Sequence, residues 1–258
     1  MLTGTIFLFG TIILMAIIVY VCFTMSKKGI WVPHIRKING LDSIEEAVGR
    51  ATEMGAPVHF TPGLGDVTNT DAPQTFAGLE VLSYVTELTA KYNTELLVTI
   101  RIPNVFPLAQ EIVRQGYIAA GKPDMFKETT VSFLSSEQFA YAAGVMGLMY
   151  RRHVAANLMF GAFWAESLLF AEAGAQVGAI QVAGTAAMGQ IPFFVAACDY
   201  TLIGEELFAA GAYLSQDMVK LGSITGQDVI KVLTMTMILV GSFMATGGSK
   251  VLIDLMKK

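Results

Sequence analysis

Gly63-Leu64-Gly65-Asp66 follows a strand-like run and is the first place where this sequence could hold a ligand, because glycines let backbone N–H groups close on an anion. The pattern lacks the third glycine of a dinucleotide fingerprint and the Gly-Lys-Ser/Thr of a P-loop, and Asp66 and Asp71 would repel phosphate. A turn at a strand end is the simpler reading. Asp199, Glu205 and Glu206 form an acidic group whose oxygens suit calcium or magnesium, although their spacing matches no EF-hand loop. The run Ala183 to Gln190, which contains Thr185, is rich in small residues. It fits close packing of backbones, or a helix start that receives a carboxylate or phosphate.

Nucleophiles and bases are sparse. His34, His59 and His153 are the only histidines, and none has a zinc or nucleophile-activating spacing. His59 alternates with apolar neighbours and reads as a packed, hydrogen-bonded core residue. His153 ends a helical stretch, where a cation is favourable, and His34 lies beside an apolar segment. Cys22 and Cys198 are too few for a disulfide framework, and Cys198 has no CxxC partner, so a buried inert thiol is expected. The sequence therefore predicts no catalytic residue and no cofactor, with a divalent cation as the sharper alternative.

These groups must be positioned by the elements around them. Between Gly29 and Gly226 short β-branched or apolar runs alternate with longer helical stretches, the signature of an α/β domain with a mostly parallel, Rossmann-like sheet. Strands are expected over 57–61, 95–102, 129–134, 155–163, 177–183 and 193–198. Helices are expected over 43–54, 75–92, 105–120, 135–153 and 165–173, and from about Gly204. Asp42 with Glu45, and Ser135 with Gln138, have the spacing of capping boxes. Ligands of open parallel sheets gather at the carboxyl ends of the strands. That rule makes Gly63, Gly65, Asn104, Ser136, Glu166, Thr185 and Asp199 candidate ligand contacts on one rim.

Composition adds a second theme. Of 258 residues 53% are hydrophobic and 15% charged, with a formal net charge of −4. An ordinary soluble chain carries roughly 25% charged residues, so burial in lipid or in an extensive interface is expected. A mildly acidic chain without a basic stripe is a poor nucleic-acid binder. Met1 to Ser26 has no charged side chain, and Thr3 to Thr24 is long enough to cross a hydrocarbon core of about 30 Å. It lacks the basic start and small-x-small site of a cleaved signal peptide. Lys27, Lys28, Arg36 and Lys37 follow it, so the positive-inside bias puts the next domain on the cytoplasmic side of the cell membrane.

Val232 to Gly248 is a second apolar stretch, flanked by Lys231 and Lys250. It is marginal in length unless extended through Ile253, the alternative being a helix partly inserted or packed on protein. Neither stretch has an ionisable residue at its centre. The expected organisation is an anchor over 1–26, an α/β domain over 27–226 and a hydrophobic helix over 227–258. Charge is also segregated. From His153 to Val219 there is no lysine or arginine, while twelve of the seventeen basic residues lie between Lys27 and Arg152. Such a split favours head-to-tail contact between copies.

Three stretches, Gly49 to Phe60 (GRATEMGAPVHF), Ser135 to Ala140 (SSEQFA) and Cys198 to Phe208 (CDYTLIGEELF), resemble a family of prokaryotic membrane proteins known only as a domain of unknown function. The similarity covers nearly the whole chain, both hydrophobic ends included. No activity is attached to that family, so the resemblance implies architecture alone. The resulting expectation is a membrane-anchored homo-oligomeric scaffold or interaction module, in contact with the lipid bilayer, with copies of itself and with other membrane-complex subunits. The rival expectation is a small-molecule or nucleotide-binding domain, possible as an enzyme, on the carboxyl-end rim. A transporter ranks third, since one or two spans form no pathway without oligomerising.

Overall fold

The computed structural model describes residues 5–31 and 36–247, apart from the side chains of Thr5 and Ile6. His34, Lys250 and the extension of the C-terminal stretch through Ile253 lie outside the described residues. The chain divides into two units, one over Lys37–Leu214 and one formed by its two ends.

The unit over Lys37–Leu214 is the α/β domain. Its sheet has six strands, β1 (Val58–Gly63), β2 (Leu96–Ile100), β3 (Val131–Phe133), β4 (Ala156–Ala162), β5 (Ile180–Thr185) and β6 (Tyr200–Ile203), in the order β3-β2-β1-β4-β5-β6. All neighbours are parallel. Parallel neighbours cannot be joined by a hairpin, so each connection carries a helix back across the sheet. These helices are α3 (Ala72–Tyr92), α4 (Val105–Ala119), α5 (Gln138–Arg152), α6 (Glu166–Val177) and α7 (Ile191–Ala197); α2 (Asn39–Met54) precedes β1 and α8 (Glu205–Ser215) follows β6. Helices α2, α3 and α4 pack together on one face, and α5, α6 and α7 on the other. With both faces covered, β1, β2, β4 and β5 are buried along their whole length.

The apolar pattern fills each layer differently. Phe60 and Phe160 stack under α3 with ring centroids 6.1 Å apart. On the other face Tyr141 meets Phe170 and Phe163 meets Phe194 edge to face, at 5.8 and 5.3 Å, with Leu64 and Met159 in the same cluster.

Three local expectations need correction. Residues 193–198 are not a strand: 193–197 fall in α7, Cys198 caps its end, and the sixth strand is β6. A short apolar run suits either element, and Pro192, pre-set for a first helical turn, decides in favour of helix. Asp42 is not a cap, because α2 begins at Asn39; its carboxylate lies in the first turn, favoured by the helix dipole, and pairs with Lys37 at 3.3 Å. Nor do Ser135 and Gln138 box α5, since Ser135 Oγ accepts from Glu137 N at 3.1 Å, before the helix starts.

The second unit holds two helices, α1 (Thr5–Lys27) and α9 (Met218–Thr246), each long and apolar enough to cross a membrane. The C-terminal helix starts well before residue 227, at Met218, where Asp217 accepts from Val219 N at 2.8 Å as a side-chain cap. The helices pack antiparallel. Ser26 Oγ donates to Met218 O, Gly222 lies on Cys22 and Ser26, and Gly226 lies on Val19. Gly222-Ser223-Ile224-Thr225-Gly226 is a GxxxG segment, in which two glycines one turn apart let backbones approach. A Cβ on Gly222 would sit 2.7 Å from Ser26 Cβ, and one on Gly226 would sit 3.0 Å from Val19 Cα. Gly226→Leu is expected to push α1 off α9 at a cost of about 2 kcal/mol, read as a lower midpoint for detergent-induced unfolding of the hairpin. An unchanged midpoint would deny the close contact.

Candidate functional site

Between β1 and β4 the connections leave in opposite directions, and this is where open parallel sheets form a ligand crevice. Gly63, Gly65, Asn104, Ser136, Glu166 and Thr185 all lie on the carboxyl edge or in the loops that follow it. Asp199 does not. It precedes β6, and its Oδ2 accepts from Gln181 N at 2.8 Å, at the amino end of β5. Because 193–197 is helical, Asp199 opens a strand where it was expected to close one. The cation site over Asp199, Glu205 and Glu206 fails for the same reason, since β6, about 13 Å of strand, lies between the first and the other two. Among the described residues no group of three or more His, Cys, Asp or Glu side chains is placed to hold a metal ion.

The crevice itself is filled from within. The register between β1 and β4 shifts after Thr61, and Leu64 N donates to Ala162 O at 2.8 Å. Gly63 and Gly161 have φ of 80° and 143°, and their chains touch: a Cβ on Gly63 would lie 2.3 Å from Ala162 O, and one on Gly161 2.1 Å from Pro62 O. Leu64 then drops into the core between sheet and α5. The glycines thus serve close strand packing, and the N–H groups of Gly63 and Leu64 are taken by Thr61 Oγ1 and Ala162 O.

Polar groups around this edge engage one another. Glu166 is fully buried; its Oε1 accepts from Trp164 N at 2.7 Å and its Oε2 from Gln138 Nε2 at 2.5 Å, which clips the start of α5 to the start of α6. Ser167 Oγ donates to Gln190 Oε1 at 2.7 Å and ties α6 to the turn before α7. Thr185 and Ala186 N share Gln74 Oε1. Asn104 Nδ2 donates to Asp66 at 3.3 Å. Desolvation is the largest single influence on the Asp66 carboxyl and raises it, but hydrogen bonds from Val67, Thr68 and Asn104 together outweigh it and hold the group below its usual range.

Arg101, which sequence reasoning passed over, donates from Nε to Ser136 O at 2.9 Å and from Nη1 to Leu64 O at 3.5 Å. A lone arginine directly after an apolar strand was the available signal. Beside these polar groups the edge also turns apolar side chains outward. Phe139, Trp164, Leu168, Met188 and Phe193 are all exposed, Met188 by 81% and Phe139 by 67%. They stand on the segments that the Glu166 and Ser167 contacts lock together.

Beneath the edge a buried polar ladder crosses four strands. His59 Nδ1 donates to Asn157 Oδ1 at 2.8 Å, and Nε2 accepts from Thr99 Oγ1 at 2.9 Å. Asn157 Nδ2 continues to Gln181 Oε1 at 3.0 Å, and Tyr141 OH lies 2.8 Å from Thr61 Oγ1. Burial pushes the imidazole down to about 4, against a smaller lift from Asn157, so His59 is neutral at pH 7 and serves as a core residue. Cys198 is partly buried, and burial first, then Asp199, pushes its thiol up to about 12. Several basic residues of the first half are engaged within the domain. Arg152 pairs with Glu95 at 2.6 Å, Arg114 pairs with Glu111 at 2.9 Å, and Lys122 Nζ donates to Ala90 O at 2.8 Å. Charge segregation therefore supports contact between copies less than the apolar edge does.

No curated protein matches the sequence, and no solved structure matches the fold. A family model described as a domain of unknown function (DUF6754) matches residues 3–256, and the chain belongs to that family.

Proposed function

We propose that this protein is a membrane-anchored scaffold that assembles with copies of itself and presents its α/β domain to other subunits. The observation that carries this reading is the carboxyl edge, whose polar groups bond to one another while Phe139, Trp164, Leu168, Met188 and Phe193 face outward on locked segments. Exposed apolar side chains held on locked segments mark interaction sites, and preorganised aromatic anchors lose little freedom on docking. The two long apolar helices supply the anchor. Lys27, Lys28, Arg36 and Lys37 support a cytoplasmic domain. Ligand binding at the rim is less favoured, because Leu64 is buried in the core and the Glu166 carboxylate is already taken by Trp164 N and Gln138 Nε2.

Mild detergent extraction followed by mass measurement tests the reading. The parent chain is expected to run as an oligomer at micromolar concentration, and Trp164→Ser with Phe193→Ser is expected to weaken self-association at least tenfold. A monodisperse parent monomer would overturn it.

A further inference from the structure

The two helices of the hairpin are staggered, and the stagger sets charge beside the uncharged middle of α1. The contacts of Ser26 with Met218, Cys22 with Gly222 and Val19 with Gly226 fix the antiparallel register. Continued along both helices, it brings Asp228 level with Ala16 and Ile17, and Lys231 level with Ile13 and Leu14. At 1.5 Å per residue Asp228 stands about 16 Å from the level of Lys27, half the thickness of a hydrocarbon core of about 30 Å. The expectation of no ionisable residue at the centre of a span holds for each stretch alone and fails for the pair as packed.

Asp228 and Lys231 are 3.2 Å apart, with side chains 62% and 38% exposed. At about 100° per residue Asp228 lies about 200° around α9 from Gly226, so the ion pair points away from α1. The same side continues through Val232, Met235 and Leu239, spaced as in a helix–helix seam, and all three are exposed. A lone hairpin faces a conflict. With the apolar run of α1 in hydrocarbon, the ion pair meets lipid at mid-depth, where charges are costly. Raised until the pair reaches the headgroups, the hairpin leaves Leu14 to Met25 in water, with Ile17, Tyr20 and Val21 uncovered. A protein surface over the ion pair removes the conflict.

We propose that the Asp228–Lys231 face of α9 packs on the same face of a second copy within the membrane, each carboxylate reaching the ammonium of the other copy as well as its own. The proposal rests on the reading of the helices as a membrane anchor and names the contact made there. A second copy fits because a two-fold axis along the helices sets the two Asp228 carboxylates side by side at one depth, with a Lys231 ammonium one turn away on each copy to bridge both. Two copies inserted in the same sense also bring their ion pairs to the same depth.

Cysteine crosslinking of the full chain in membranes tests this, with Cys22→Ser and Cys198→Ser as background. Met235→Cys and Leu239→Cys are expected to give oxidised dimers, and Val240→Cys, at the same depth but turned aside, at least tenfold less. Asp228→Leu should reduce the Leu239→Cys dimer at least fivefold, while Asp228→Lys combined with Lys231→Asp should retain it. Equal yields at Leu239 and Val240, or no dimer, would overturn the proposal. Alkaline extraction separates the two readings. A chain washed out of membranes ends both, whereas a chain that stays embedded and oligomeric by mass, yet uncrosslinked at α9, ends only this one.

Discussion

His59→Ala is expected to cost about 3–5 kcal/mol of domain stability, because it opens a void and strands two buried partners, Asn157 Oδ1 and Thr99 Oγ1. Those partners sit on β4 and β2, so the imidazole joins three strands at once. Acid should have a related effect on the parent chain. The folded imidazole titrates at about 4 and the unfolded one at 6.5, so the unfolded state takes up the proton first as pH falls. Stability is then full above about pH 6.5 and declines towards pH 4, by up to about 3 kcal/mol. Chemical unfolding of the detergent-solubilised chain, followed by near-ultraviolet circular dichroism at pH 7.5, 5.5 and 4.5, measures both effects. The part of the acid loss due to His59 should be missing in His59→Ala. A variant with the parent's midpoint would remove the ladder from this account.

Gly161→Ala should be at least as damaging, at about 3 kcal/mol or more. Its φ of 143° is one that alanine rarely adopts, and the new Cβ would be driven against Pro62 O in the neighbouring strand. Relief requires β1 and β4 to part at the point where Leu64 N now bonds Ala162 O, which opens the centre of the carboxyl edge. A lower thermal midpoint together with greater quenching of Trp164 fluorescence is the expected result. A fully stable variant would show that the two strand ends have more room than their contact implies.

The alternation of short apolar runs with helical stretches made the parallel sheet legible, since strands expected over 57–61, 95–102, 129–134 and 155–163 overlap β1 to β4. Periodicity could not separate a short apolar helix from a strand at 193–198, and one wrong element there carried Asp199 to the wrong end of the sheet. The polar ladder was beyond reach for another reason. His59 finds Asn157 and Thr99 at separations of 98 and 40 residues, and no local pattern links them. The closed crevice likewise depends on one leucine, Leu64, turning inward between two glycines that themselves suggest an open loop. Helix lengths were read from charge-free runs, which hid the first turns of α9 because Lys220, Asp228 and Lys231 interrupt its apolar pattern.

The domain's own ends are tied together, as Tyr213 OH donates to Asp42 Oδ1 at 2.7 Å. Ser26 and Met218, which touch in the hairpin, are separated by 192 positions of sequence. In an unfolded chain that separation is a long loop to close; once the Asp42–Tyr213 tie has formed, only short connectors remain. Loop-closure entropy then favours the hairpin by about 2 kcal/mol relative to the open chain. On the proposed reading of α1 and α9 as a membrane anchor, this orders assembly: α1 would enter the bilayer alone during synthesis, the α/β domain would fold next and α9 would dock last, so a slowly folding domain variant would leave α1 without its mate.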